Sequence, residues 1–316
     1  MRKLKVVFLI ILESLAIILL FIVQKIQATP YAGAFQKLGA SARALGLGGA
    51  YVACVADASA IYYNPSAGVL LDSAQLLFLQ SRIFAGIVQH NFFSFIMPWS
   101  NNQAIGSAIL FNRIPDIKIT KLPDTNQPPS EYNRPEIERT VNASDWIFYF
   151  NYARAMFDNF SLGTNFKIIY RSVGIGSGWG IGLDIGATKI LPCNWRLGLH
   201  ITDATNSALL WNNRTRELIT PDLFLGLSKT FQLNNSSILL TSELEGNFDE
   251  LTFNTNLGSE YLYKNILAFR FGLYHQNFTV GFGLNSKRVF IDYAYVREFY
   301  QEGLGSIQKF SGGIRF

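Results

Sequence analysis

Charge is scarce in this chain, and so are the side chains of reactive chemistry. Only 16% of its 316 residues are Asp, Glu, Lys or Arg, where a soluble domain carries roughly a quarter. Cysteine occurs twice, as Cys54 and Cys193, and histidine three times, as His90, His200 and His275. Two distant cysteines make no disulfide framework, and two buried thiols are expected. The histidines lack metal-ligand spacing, so no metal and no cofactor is expected. "GIGSGWG" lacks the glycine offsets that a nucleophile elbow needs around Ser177, and it is no dinucleotide fingerprint. No Ser/His/Asp constellation can be named, so an enzyme is not expected. The formal charge of +5 belongs largely to the N-terminus. Without Arg2, Lys3, Lys5, Lys25 and Glu13 the balance is 23 bases to 21 acids, dispersed along the chain. That argues against a nucleic-acid partner.

What the chain has is apolar surface: 49% hydrophobic and 14% aromatic residues. Part of it is "VVFLIILESLAIILLFIV" (Val6 to Val23), behind the basic "MRKLK" and ahead of a cleavage-like Ala28. Residues 1–28 read as a secretory signal peptide. The rival reading is an uncleaved anchor, and Glu13 in mid-span weighs against it because a carboxylate in the bilayer is costly.

From Gln75 onward the chain breaks into segments with period-2 alternation. "FKIIYRSV" sets Phe166, Ile168 and Tyr170 against Lys167 and Arg171. "LAFRFGL" sets Leu267, Phe269, Phe271 and Leu273 against Arg270, and "RVFIDYAY" sets Val289, Ile291, Tyr293 and Tyr295 against Arg288 and Asp292. Strands are expected near 75–83, 87–97, 104–114, 145–157, 159–173, 179–190, 194–204, 221–232, 236–245, 252–262, 266–275, 278–285, 288–297 and 307–316. An even count of fourteen suits a single-chain outer-membrane barrel. Alternate connections are short ("PWSNNQ", "DN", "LPCN", "QLNN", "YKN", "NSK"). The others include about 30 residues from Pro115 to Ser144, about 15 from Asn206 to Thr220 and about 9 from Glu298 to Ser306. That parity distinguishes a membrane barrel from a soluble sandwich. Trp99, Trp146, Trp179, Trp195 and Tyr261 near strand ends suit interfacial girdles.

Fourteen strands enclose more space than their own side chains fill. The material to fill it is the glycine-rich stretch after the cleavage site. "AGAFQKLGASARALGLGGAYVACVADASAIYYNPSAG" (Ala32 to Gly68) resembles the N-terminal signature of the PorV/PorQ family, within the FadL-like outer-membrane proteins. The matching motif residues are Arg43, Leu45, Gly46, Gly48, Gly49, Ala50, Asp57, Ala58, Asn64, Pro65 and Gly68. Leu47 stands where the family has Met, Ala56 where it has a second acid, and Ser66 interrupts Asn-Pro-Ala-Gly. The terminal "FSGGIRF" resembles the signal read by the barrel-assembly machinery, with Phe316 as its key residue.

The resemblance implies an all-β fold: a 14-stranded antiparallel outer-membrane β-barrel (73–316) with an N-terminal lumen plug (29–72), in the outer membrane of a Gram-negative-type bacterium. It implies two functions. PorV-like members bind exported protein partners in a type IX secretion system. FadL-like members are conduits for long-chain fatty acids or other hydrophobic small molecules. The secretion role is the primary expectation, motivated by the motif and the long Pro115–Ser144 loop; the conduit is the alternative. Expected partners are therefore outer-membrane lipid, the assembly machinery, secretion-system proteins or cargo, and a hydrophobic small molecule. Lumen-facing charges Lys167, Arg171, Asp184, Arg196, His200, Glu243, Glu260, Arg270, Arg288 and Asp292 are expected to hold the plug, with Arg43 paired to Asp184 or Asp292. The glycines Gly174, Gly176, Gly178, Gly180 and Gly182 are candidates for a kink that opens the wall sideways.

Overall fold

The computed structural model describes residues 32–174, 176–249, 251–297 and 306–316. The expected signal segment and most of the Glu298–Ser306 loop lie outside these residues. The strands are β1 (Gln75–Ile83), β2 (Val88–Ser100), β3 (Gln103–Lys121), β4 (Glu136–Phe157), β5 (Phe160–Ser172), β6 (Ser177–Leu191), β7 (Trp195–Thr202) and β8 (Ser207–Trp211). They continue with β9 (Arg216–Ile219), β10 (Asp222–Leu233), β11 (Ser236–Asn247), β12 (Thr252–Tyr263), β13 (Leu267–Tyr274), β14 (Asn277–Asn285), β15 (Val289–Arg297) and β16 (Ser306–Arg315). All pairings are antiparallel, and β1 closes on β16 from Gln75↔Arg315 to Arg82↔Gln308. β7 and β8 lie end to end along one edge of β6, and β9 leads into β10 beside them. The sixteen ladder segments therefore make fourteen staves of a closed antiparallel barrel.

One end of the barrel carries Ala74, Phe316 and turns of only two or three residues, so it is the periplasmic end. The Phe316 amide donates to the Ala74 carbonyl at 2.9 Å. At the other end β3 and β4 run on as a hairpin to Lys121 and Glu136. Much of the expected 30-residue loop is thus ladder, because "IKIT" and "EIERTV" carry enough alternation to keep pairing beyond the barrel.

Outward side chains such as Phe150, Phe166, Ile181, Leu210, Phe271 and Phe278 are exposed. Their inward neighbours alternate with them: in β13, Ala268 and Arg270 are buried between exposed Phe269 and Phe271. A continuous apolar outer band is unstable in water and suits lipid. Closure leaves no unpaired edge within the bilayer.

Residues 32–72 lie inside this wall. They form a 3₁₀ turn at Ala34–Gln36, a short helix at Ala42–Gly46, another at Ala60–Tyr63 and a 3₁₀ stretch at Pro65–Leu70. Ser41 caps the first helix by accepting from the Ala44 amide at 3.4 Å. Gly48 and Gly49 end it with φ of 66° and 80°, a left-handed backbone that glycine takes without a Cβ penalty. Asn64 and Pro65 start the last turn, with the Ser66 amide on Asn64 Oδ1 at 3.2 Å. Elements this short do not stand alone in water; contact with the wall holds them.

That contact is backbone against backbone. Inward glycines of seven strands face the segment: Gly163 and Gly186 meet Pro65 and Asn64, Gly198 and Gly226 meet Val52, Gly258 meets Leu47, Gly272 meets Gly48, and Gly281 meets Gly46. A Cβ built on Gly281 would sit 3.0 Å from the Gly46 Cα, and on Gly258 or Gly272 it would overlap main-chain atoms. Gly258→Ala and Gly272→Ala should each cost about 1–3 kcal/mol by overpacking. The heat-modifiable gel shift should move to lower temperature for both. Outward-facing Ser259→Ala should stay within about 0.5 kcal/mol of the parent.

Candidate functional site

The motif residues are spread around the inside of the barrel and touch the wall on different sides. Arg43 Nε and Nη2 bind Glu260 Oε2 and Oε1 at 3.0 and 2.8 Å. Glu260 also takes Arg270 Nε at 2.5 Å, and Arg270 Nη1 reaches Asp292 Oδ1 at 2.7 Å. The expected Arg43–Asp184 and Arg43–Asp292 pairs are therefore replaced by Arg43–Glu260, with Asp292 one link further on. Leu45 packs with Ala42 on Ala294 and Val296. Asp57 accepts from Tyr51 Oη at 2.8 Å and from the Ser59 amide at 2.9 Å, so it works within the segment. Asn64 Nδ2 donates to Val52 O at 2.8 Å and Thr188 Oγ1 at 3.1 Å. Asn151 Nδ2 donates to Pro65 O at 3.1 Å, and Gly68 lies beside Asn151 and Ile96.

Of the wall charges, Lys167, Asp184, Arg270 and Asp292 are buried on the lumen side with His200, Glu243 and Glu260. Arg171 lies further along β5, paired with Asp145 at 2.8 Å and over the Phe35 ring at 4.1 Å. Arg196 takes the lumen side of β7 by alternation and is half-buried. Arg288 is not among the buried charges: it is exposed in the turn before β15, since the strand starts one residue later than the alternation suggested. Cys193 is likewise exposed in a turn, while Cys54 is buried and free. Burial pushes the Cys54 thiol up to about 12.

The glycine run does not interrupt its own strand. Gly174 and Gly176 belong to the turn before β6, and β6 pairs with β5 from Ser177 to Lys189. Gly178, Gly180 and Gly182 instead make room for Trp211, Leu209 and Ser207 of β8. The break is in the neighbouring stave, between Thr202 and Ser207, with Asp203 and Asn206 at φ of 51° and 54°. Opposite it the next stave breaks at Thr220 and Pro221, where proline has no amide to donate.

The break is stitched from within. Lys167 Nζ binds Asp184 Oδ1 at 2.8 Å and Asp203 Oδ1 at 2.7 Å. Ser207 Oγ donates to Asp203 Oδ1 at 2.5 Å. The start of the N-terminal segment, an arm over residues 32–40, docks on both sides of the break. Gln36 Nε2 donates to Asp203 Oδ2 at 3.2 Å, and Lys37 Nζ pairs with Asp222 at 2.9 Å. Tyr62 Oη donates to Gln36 O at 2.6 Å, and the Ala40 amide donates to Tyr63 Oη at 2.9 Å. Burial holds both tyrosine hydroxyls protonated, well above their usual range.

Behind the arm lies a cavity of about 350 Å³. Ile83, Phe84, Tyr149, Phe224 and Ile307 give it apolar walls. The arm also lines a cleft of about 250 Å³, where the β10–β11 ladder stops at Asp222↔Asn247. Cavity and cleft share Gly33, Lys37, Ile219, Glu245 and His275. Among the described residues no group of His, Cys, Asp and Glu is arranged to hold a metal. Gln36, Lys37, Tyr62, Tyr63, Asp203 and Asp222 escaped the sequence reading. The signal for the break was Pro221, a proline at a strand start.

No family model matches the sequence, and no curated protein is similar to it. Among solved structures, the toluene transporter TbuX of Ralstonia pickettii has a TM-score of 0.59 at 14% identity, over 88% of this chain and 98% of that one. The CymD monoaromatic hydrocarbon channel gives 0.59 at 13%, again over 88% and 98%. A FadL homologue from Pseudomonas aeruginosa gives 0.51 at 13% over the same shares. The chain has the FadL-like barrel fold. It shares that scaffold with transport channels, and the similarity does not single out PorV/PorQ.

Two outcomes follow from the geometry. A double-mutant cycle on Arg43→Ala and Glu260→Ala should show coupling of about 2 kcal/mol, whereas Arg43→Ala with Asp184→Ala should be additive. Maleimide should label Cys193 in the folded protein and leave Cys54 unmodified until denaturation, as mass spectrometry of the two peptides would show.

Proposed function

We propose that this barrel is a conduit for hydrophobic small molecules across the outer membrane. Residues 29–72 act as its plug, and the arm at its start acts as the gate. One observation carries the reading: the arm that lines both the apolar cavity and the side cleft is the same segment that bridges the wall break, through Gln36–Asp203 and Lys37–Asp222. Displacing it would join the cavity to the cleft without moving the rest of the plug, which the wall glycines hold. The cavity has the size and apolar lining of a small-molecule site. The fold similarity to toluene and monoaromatic channels supports the same reading. The secretion role rests on the Ala32–Gly68 motif, and the plug it describes serves the conduit equally well.

A crosslink tests the gate. A Cβ on Gly33 would lie 4.0 Å from the Ile219 Cβ, within disulfide range. In a Cys193→Ser background, Gly33→Cys with Ile219→Cys should form a bond on oxidation. Entry of labelled toluene into proteoliposomes should then fall at least tenfold and recover with reductant. Equal flux in both redox states would remove the arm as gate. An exported protein co-purifying in stoichiometric amount, with no toluene flux, would favour secretion.

A further inference from the structure

We infer that the cavity filters by charge, taking uncharged apolar molecules and rejecting carboxylates. This inference rests on the conduit reading and narrows its substrate class. The cavity lining holds five carboxylates, Asp184, Asp203, Asp222, Glu243 and Glu245, and three lysines, Lys37, Lys167 and Lys309. Every lysine is already engaged. Lys37 pairs with Asp222, and Lys167 spans Asp184 and Asp203. Lys309, buried on β16, donates to the carbonyls of Leu38 and Gly39. Among the described residues Glu243 and Glu245 have no lysine or arginine partner. Glu243 Oε2 instead accepts the amides of Tyr51 at 2.9 Å and Val52 at 2.8 Å, and Glu245 Oε2 meets His275 Nε2 at 3.0 Å.

A carboxylate entering this space loses its water and finds no uncommitted cation. It also faces Glu245 across a medium that screens charge poorly, and finds the Glu243 oxygen already held by two amides. Taking Lys309 from its carbonyls would leave Leu38 O short of a donor and Gly39 O with His90 Nε2 alone, and those carbonyls anchor the arm. An uncharged molecule meets none of these penalties. An amine of the same length meets Glu245 with favourable sign. The cavity thus separates ligands of equal hydrophobicity by the charge of the head group alone.

The test uses purified full-length protein in one detergent, dialysed to equilibrium against labelled 1-octanol, octanoate or octylamine, with protein-free micelles as the blank. Expected is at least tenfold tighter binding of octanol than of octanoate at pH 7.5, with octylamine no weaker than octanol. Glu243→Gln with Glu245→Gln, checked for folding by its heat-modifiable shift, should bring octanol and octanoate within about threefold. Octanoate binding as tightly as octanol to the parent protein overturns the filter and leaves the conduit standing. No binding of any probe above the blank overturns both.

Discussion

A fourteen-stranded wall and a folded segment inside it can share one volume only where their backbones touch, and the rest of this structure depends on that contact. Any side chain at the contact would hold the two apart by several ångströms. Gly163, Gly186, Gly198, Gly226, Gly258, Gly272 and Gly281 remove it from the wall, while Gly46 and Gly48 remove it from the segment. Close packing of this kind tolerates little added volume. It also explains why the segment can be so small and so poor in charge. Its alanines and glycines are chosen for thickness, and its helices need only be one or two turns long because the wall supplies what their own length cannot.

Backbone contact fixes distance but not register, since one glycine resembles another. Register comes from the buried charges. Arg43 reaches Glu260 on β12, which binds Arg270 on β13, which binds Asp292 on β15. The chain of charges spans several staves and admits the segment in one rotation. Buried ion pairs give little net stability against apolar replacements, yet losing one partner costs several kcal/mol. Here they act to select one arrangement among several of similar shape. The Lys167 cluster differs in kind. It joins wall to wall across a break and joins the arm to both through Gln36.

The staves were legible from sequence because alternation with a lipid-facing side leaves a continuous record along each strand, as in "LAFRFGL" and "WRLGLHIT". The inward position of Lys167, Asp184, Arg270 and Asp292 follows from the same record. Arg288 shows its limit: at a strand's first residue the alternation has nothing to anchor it, and the side chain turns out to water. Pairing partners were not legible, because Arg43 and Glu260 are 217 residues apart and several acids share the lumen face. The break at Asp203 was hidden for another reason. The alternation carries a strand to 204 and leaves Asn206–Thr220 as one loop, and only three-dimensional pairing shows β8 inside that loop, rejoining the edge of β6. The tyrosines of "YYNP" carry no role in the sequence pattern, whereas in the fold their hydroxyls serve the backbone of the arm.

A break in a membrane wall has a cost that a break in a soluble sheet does not. Lipid offers no hydrogen-bond partner, so the groups freed at Asp203–Asn206 must be satisfied by protein. The Asp203 amide goes to Asp184 Oδ1 at 2.9 Å, and the Ala204 amide to Leu183 O at 2.8 Å. Gln36 and Lys37 then occupy the remaining oxygens of Asp203 and Asp222 from the inside. The arm is therefore part of what keeps the interrupted wall satisfied, and it cannot leave without exposing those carboxylates. That couples the state of the lumen to the state of the wall. It also places the interruption of the wall beside the Gln36 and Lys37 contacts of the arm, whose other polar contacts run to Tyr62, Tyr63, His90, Asn112 and Lys309 and tie it to the rest of the segment and to the wall.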